Sequence, residues 1–177
     1  MRLENAIRLI NSSAINSTHP QQWADLGCGS GLFTHALATL LPKNSVIHAI
    51  DKNIRSFESF AVEGITVQKK QLDFVTADID LKDLDGILMA NSLHYVKHKS
   101  SFINKLSAAL KATGNIIIVE YDTDKSNPWV PYPANFTTLQ QLFKDQGFKQ
   151  IIKLKEHPSV FGLSIFDIEI IRLFAGR

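Results

Sequence analysis

The stretch Asp25-Leu26-Gly27-Cys28-Gly29-Ser30-Gly31 decides the reading of this chain. It is entered through Gln22-Trp23-Ala24 and left through Leu32-Phe33-Thr34-His35-Ala36-Leu37, a short apolar run followed by the pattern of an amphipathic helix. Glycines at alternate positions remove the β-carbons that would hold a ligand off the backbone, and they permit positive φ. A ligand can then rest on exposed N–H groups at the start of the helix. The spacing excludes two familiar ligands. A dinucleotide loop reads G-x-G-x-x-G, whereas Leu32 stands where its third glycine would fall. A phosphate loop needs a lysine and a hydroxyl residue after its last glycine, and none follows here. The acid that opens the stretch suits a ligand carrying an amine better than one carrying a pyrophosphate.

Working outward, Ser45-Val46-Ile47-His48-Ala49-Ile50 is a β-branched apolar run that ends in Asp51. An acid about 20 residues beyond a glycine loop, at the end of the second strand, is placed to grip a ribose. A carboxylate accepts from both ribose hydroxyls at once. A solvated turn residue is the other reading of Asp51. A third run, Ile65-Thr66-Val67-Gln68, leads to Gln71-Leu72-Asp73-Phe74, with Asp78 and Asp80 close behind.

The D-x-G-x-G-x-G form resembles motif I of the class I S-adenosylmethionine-dependent methyltransferases. That resemblance implies that Asp25 and Gly27 hold the methionine part of S-adenosylmethionine, that Gly29 and Gly31 belong to the same cofactor-binding loop, and that Asp51 holds the ribose. Asp73 and Phe74 would then meet the adenine, with Asp78 or Asp80 as alternatives to Asp73. Lys52, after the ribose acid, and Asn91, after the fourth strand, complete the implied cofactor-binding set. Met89-Ala90-Asn91-Ser92-Leu93-His94-Tyr95-Val96 resembles motif IV of type-11-like small-molecule methyltransferases and is unlike the [DN]-P-P-[YF] motif used for base or glutamine nitrogens. Asn127-Pro128-Trp129 follows the fifth strand instead, so it reads as a loop.

Composition sets the outer bounds. With 177 residues, 45% hydrophobic and 20% charged, the chain has the makeup of one soluble globular domain spanning 1–177. Nineteen basic against seventeen acidic residues leave +2, too weak a charge to argue for nucleic acid. Cys28 is the single cysteine, so no internal disulfide can form. No metal-ligand spacing is present. The first residues carry charges rather than the apolar core of a secretory signal, and no apolar run reaches membrane-spanning length, so the expectation is a cytoplasmic protein without a membrane partner.

Apolar spacing predicts a helix over residues 2–12, with residues 1–22 forming a helix and turn ahead of the first strand. Helices are also expected at 32–41, 53–61, 100–112 and 137–146, and strands at 23–26, 45–50, 65–68, 86–90, 115–120, 148–154 and 164–173. Phe161-Gly162 joins the last two strands. Strands alternating with helices argue for an α/β fold with a mostly parallel sheet and helices on both faces. The final pair, with no helix between them, argues for one antiparallel strand near the C-terminus. The resemblance implies the same Rossmann-like, seven-stranded sheet.

In such a sheet a ligand lies outside the carboxyl ends of the strands. His94, just after the fourth strand, is the histidine placed to act as general base, or else to pack at the start of a helix. Tyr95, Tyr121, Trp129 and Tyr132 would form an aromatic wall around an acceptor, or pack under the proline-bearing loop 122–134, which would cover the acceptor site. The resulting expectation is methyl transfer to a small molecule at oxygen. The alternatives are an RNA or protein methyltransferase, and a non-catalytic S-adenosylmethionine-binding scaffold subunit. The short N-terminal segment and short loop leave room for a partner subunit to complete the acceptor site.

Overall fold

A computed structural model describes residues 1–15, 17–158 and 164–171, with side chains through Leu154. The expected connection through Phe161-Gly162, the end of the last strand at Leu173, and Asn16 lie outside the described residues.

The strands are β1 (Gln22–Leu26), β2 (Val46–Asp51), β3 (Thr66–Gln71), β4 (Leu84–Ala90), β5 (Leu110–Tyr121), β6 (Gln150–Pro158) and β7 (Ser164–Ile171). The helices are α1 (Leu3–Ile10), α2 (Leu32–Leu40), α3 (Lys99–Ala109) and α4 (Phe136–Asp145). The fold is α/β and Rossmann-like, with β1 to β5 parallel in the order β3-β2-β1-β4-β5. Beyond β5 the sheet continues with β7 and then β6, and β7 runs antiparallel to both neighbours.

Side-chain alternation along the strands feeds two cores. Ile117 and Val119 of β5 join Trp23, Ile47 and Leu88 under α1 and α2. Ile116 and Ile118 join Ala24, Leu26, Ile87 and Met89 under α3 and α4. α1 buries Leu9 and Ile10 in the first core, at roughly 1.5–3 kcal/mol for each side chain, so it is part of the domain body. β1 and β4 approach each other closely. A Cβ on Gly86 would sit 2.4 Å from the Trp23 ring, which only glycine permits.

Three expected elements differ from those observed. No helix forms over 53–61; a single 3-10 turn, Ile54–Ser56, takes its place. The Asn53 side chain accepts from Arg55 N–H, and Glu58 N–H donates to Ser30 O, which leads the chain away from helical geometry. The Phe57 ring then fills the space beside Gly31, and Phe60 stacks on His35. The third helix ends at Ala109 rather than near 112, because Leu110 already pairs with Leu84. Thr113-Gly114 therefore falls inside β5, where the register with β4 shifts. The sixth strand, expected over 148–154, runs from Gln150 to Pro158 and so takes in His157. No helix among the described residues is long and apolar enough to cross a membrane.

The chain leaves β1 toward β2 and β3, then crosses back to β4 on the other side of β1. The carboxyl ends of β1 and β4 thus flank the point where the strand order reverses, the usual crevice of an open α/β sheet.

Candidate functional site

The loop after β1 follows from close packing. Gly27 and Cys28 both donate their N–H to Ile50 O, which ties the loop to the end of β2. Gly27 has φ of +86°, and a Cβ there would meet the Ser92 Cβ at 2.4 Å. Ser92 Oγ in turn donates to Leu26 O at 2.6 Å, binding the loop after β4 to the last residue of β1. Gly29 behaves differently. Its φ is +50°, but a Cβ would meet nothing within 4 Å among the described residues, so this part of the loop faces open space.

That space is a cleft of about 720 Å³. Its floor is Gly27, Cys28 and Gly29, and Asp51, Lys52, Asp73, Phe74 and Asn91 stand around it. Asp51 ends β2, where Oδ2 accepts from Gly29 N–H at 2.9 Å and Oδ1 from Asn53 N–H at 2.8 Å. Both oxygens are thereby fixed in direction while each keeps acceptor capacity. Asp73 accepts from Val75 N–H in a tight turn that places Phe74 beside it. Asp78 is instead exposed and faces Lys105, outside the cleft wall. Lys52 Nζ lies 5.6 Å from the centroid of the Tyr95 ring.

Asp25 takes a position that the sequence did not convey. It is 0% exposed and lies beneath the loop rather than in the cleft wall. Thr34 Oγ1 donates to its Oδ2 at 2.6 Å, and Oδ1 has no hydrogen-bond partner among the described residues. Burial raises its pKa from 3.8 to about 7, the Thr34 hydrogen bond opposes this, and the Asp51 charge adds to it. Gly31 serves structure, since its missing Cβ admits the Phe57 ring. Cys28 is buried, and that burial pushes its thiol up, away from the reactive thiolate.

A second cavity of about 700 Å³ opens beside the first. Asn91 and Tyr95 line both, so the two meet there. The rest of its wall is His94 and Tyr121, with Asn127, Trp129 and Val130 from the segment after β5. Asn91 holds φ at +53°, a conformation Asn tolerates, and its Oδ1 is buried without a partner among the described residues. His94 and Glu120, each 4% exposed, form a pair that sequence reasoning missed. The Nδ1 of His94 is 2.7 Å from Glu120 Oε2, and the backbone N–H of His94 donates to Oε1 at 3.1 Å. One carboxylate thus holds both the ring and the backbone. With an ionised carboxylate and a neutral ring, Nδ1 donates to Oε2 and Nε2 is left as the ring's acceptor. The available signal was an acid at the carboxyl end of a fully apolar strand, Ile116 to Val119.

The segment 122–134 is tied at several points. Tyr132 N–H donates to His94 O, and the buried Lys99 ammonium donates to both Val96 O and Tyr132 O. Burial lowers the Lys99 pKa, while Glu120 pulls it back up. Asn127 Oδ1 accepts from Trp129 and Val130 N–H, closing a tight turn that presents Trp129 with 81% exposure. Of the four expected wall aromatics, Tyr95, Tyr121 and Trp129 line the second cavity, whereas Tyr132 lines the first. Burial raises the Tyr121 pKa, with Glu120 and Tyr95 adding to the effect.

The family described as methyltransferase domain matches residues 24–116 of this chain, a little over half of it. No curated protein matches. Among solved structures, a protein from Listeria monocytogenes is 16% identical with a TM-score of 0.68, the alignment covering 97% of each chain. A SAM-dependent methyltransferase from Aquifex aeolicus is 15% identical with a TM-score of 0.63, covering 98% of this chain and 100% of that one. The plantazolicin methyltransferase BpumL, in complex with SAH, is 13% identical with a TM-score of 0.68, covering 97% of this chain and 84% of that one. At these identities the likeness is one of fold.

Proposed function

The chain belongs to the methyltransferase-domain family, and we propose that it moves the methyl group of S-adenosylmethionine to an oxygen of a small-molecule acceptor. It is an S-adenosylmethionine-dependent methyltransferase; the residue roles and the acceptor are our reading. The observation that carries this reading is the meeting of two cavities at Asn91 and Tyr95, one floored by the glycine loop and the other walled by His94.

The residues present fit the cofactor. Open space over Gly29 leaves room against the backbone, and the fixed Asp51 oxygens suit a ribose diol. Asp73 and Phe74 would take the adenine. Gly27 and Gly29 would take the methionine end, with Asp25 beneath them supplying negative charge toward its ammonium and Asn91 offering a buried acceptor. Lys52 would flank the ribose. When bound, S-adenosylmethionine supplies an activated sulfonium methyl, so the protein's contribution is alignment, exclusion of water and proton removal. His94, held by Glu120, would take the acceptor's proton on Nε2. The 122–134 segment, with Asn127, Trp129 and Val130 on the chamber, would cover the acceptor and keep it small.

Thermal unfolding in the presence of S-adenosylhomocysteine or NAD tests this reading. At a hundredfold excess over its Kd a ligand adds about 2.7 kcal/mol. S-adenosylhomocysteine should raise the midpoint and NAD should leave it unchanged. The reverse pattern would discard the proposed cofactor site.

A further inference from the structure

We infer that the acceptor is a flat, uncharged aromatic compound whose hydroxyl has phenol-like acidity. This inference rests on the methyl-transfer reading above and deepens it.

The first ground is the base. His94 has its Nδ1 committed to Glu120, so Nε2 is the ring nitrogen left to receive a proton. Such a base works best on a group whose own acidity is not far above that of imidazolium. A phenol or enol meets that condition more closely than an aliphatic alcohol, whose proton an imidazole takes only in concert with the bond-forming step. A carboxylate acceptor is already ionised and would have no use for the pair. It would also approach Glu120, which is buried directly behind His94.

The second ground is the wall. Tyr95 and Tyr121 have their rings 4.4 and 6.2 Å from the His94 ring, and Trp129 closes the chamber from the opposite segment. An indole left 81% exposed at the mouth of a cavity is an apolar face that a ligand can cover. Tyr95 also faces Lys52, whose positive charge stands on the cofactor side of the junction and disfavours a cationic acceptor there. The aromatic faces therefore receive a ring rather than an ammonium group.

The transfer balances. The acceptor's oxygen forms the new C–O bond as the S–CH3 bond breaks toward the thioether, and the hydroxyl proton goes to Nε2 of His94.

The test uses four probes of matched size, 2-naphthol, decahydro-2-naphthol, 2-naphthoate and 2-naphthylmethylamine, titrated by NMR into the S-adenosylhomocysteine complex. The inference expects 2-naphthol to bind about tenfold or more tighter than the other three, and expects Trp129→Ala to weaken it by a similar factor. Trp129 is exposed, so its replacement leaves the fold intact and S-adenosylhomocysteine affinity unchanged. With S-adenosylmethionine, 2-naphthol should yield its methyl ether, and His94→Gln should slow this by a larger factor than it weakens probe binding. Preference for the saturated, anionic or cationic probe, absence of binding by all four, or indifference to Trp129→Ala would overturn the inference. Failure of the underlying reading shows separately, as no S-adenosylhomocysteine binding before any probe is added.

Discussion

Replacing Asp25 by Asn should flatten the dependence of folding stability on pH between the carboxyl's two pKa values. In the unfolded chain Asp25 ionises near 3.8, and in the folded protein near 7, chiefly through burial. Between those values the folded state holds a proton that the unfolded state has lost, so stability falls as pH rises. Below 3.8 both states are protonated and the carboxyl imposes no penalty; above about 7 the penalty is complete. The span from 3.8 to about 7 corresponds to roughly 4 kcal/mol. Asn keeps an oxygen for the Thr34 hydroxyl, but it puts an amide where Oδ1 now has no partner, at about 1–3 kcal/mol for a buried unpaired donor. Asp25→Asn should therefore gain roughly 1–3 kcal/mol over wild type at about pH 8 and lose a similar amount at about pH 4. Urea unfolding followed by circular dichroism across that range gives both curves. An unchanged slope in the variant would refute the assignment of the titration to Asp25.

Three further outcomes follow from the site. Gly27→Ala combines a φ of +86° with a 2.4 Å approach to Ser92; it should cost about 2–5 kcal/mol in urea unfolding and abolish S-adenosylhomocysteine binding by calorimetry. Glu120→Gln keeps an acceptor for the His94 N–H but can no longer stabilise an imidazolium; once an acceptor is in hand, the rising limb of the pH–rate profile should move to lower pH while the cofactor Kd stays constant, and an unmoved limb or a move to higher pH would contradict the pairing. Lys99→Met leaves Val96 O and Tyr132 O without their shared donor; a loss of about 1–3 kcal/mol and faster amide exchange at 130–133 should result, and protection equal to wild type would contradict the tie.

The sequence carried the parallel sheet well because its signals are local. Alternating apolar runs and glycine punctuation located β1, β2 and β4 to within a few residues, and the spacing of the glycines separated this loop from dinucleotide and phosphate loops. The segment 53–61 misled because Phe57 and Phe60 sit at helical spacing, yet their partners, Gly31 and His35, lie across the cleft-forming loop. Such tertiary contacts leave no mark on local periodicity. The places of Asp51, Asp73 and Asn91 around the cleft were legible because strand ends predict where an α/β sheet opens its crevice. Glu120 was not, since 26 residues separate it from His94 and only the parallel pairing of β4 with β5 brings their ends together. Lys99 was missed for a related reason: nothing in a helix sequence distinguishes a lysine that turns inward to two carbonyls from one that stays in solvent.

The most direct test of the account is calorimetric titration of S-adenosylhomocysteine into wild type and Asp51→Ala. Asp51 presents two oriented oxygens at the cleft, and a charged hydrogen-bond acceptor of this kind contributes about 1.5–3 kcal/mol, so the variant should bind roughly 10- to 150-fold more weakly than wild type. Failure of wild type to bind S-adenosylhomocysteine, or equal affinity in the two proteins, would contradict the claim that the glycine loop and Asp51 form the cofactor site.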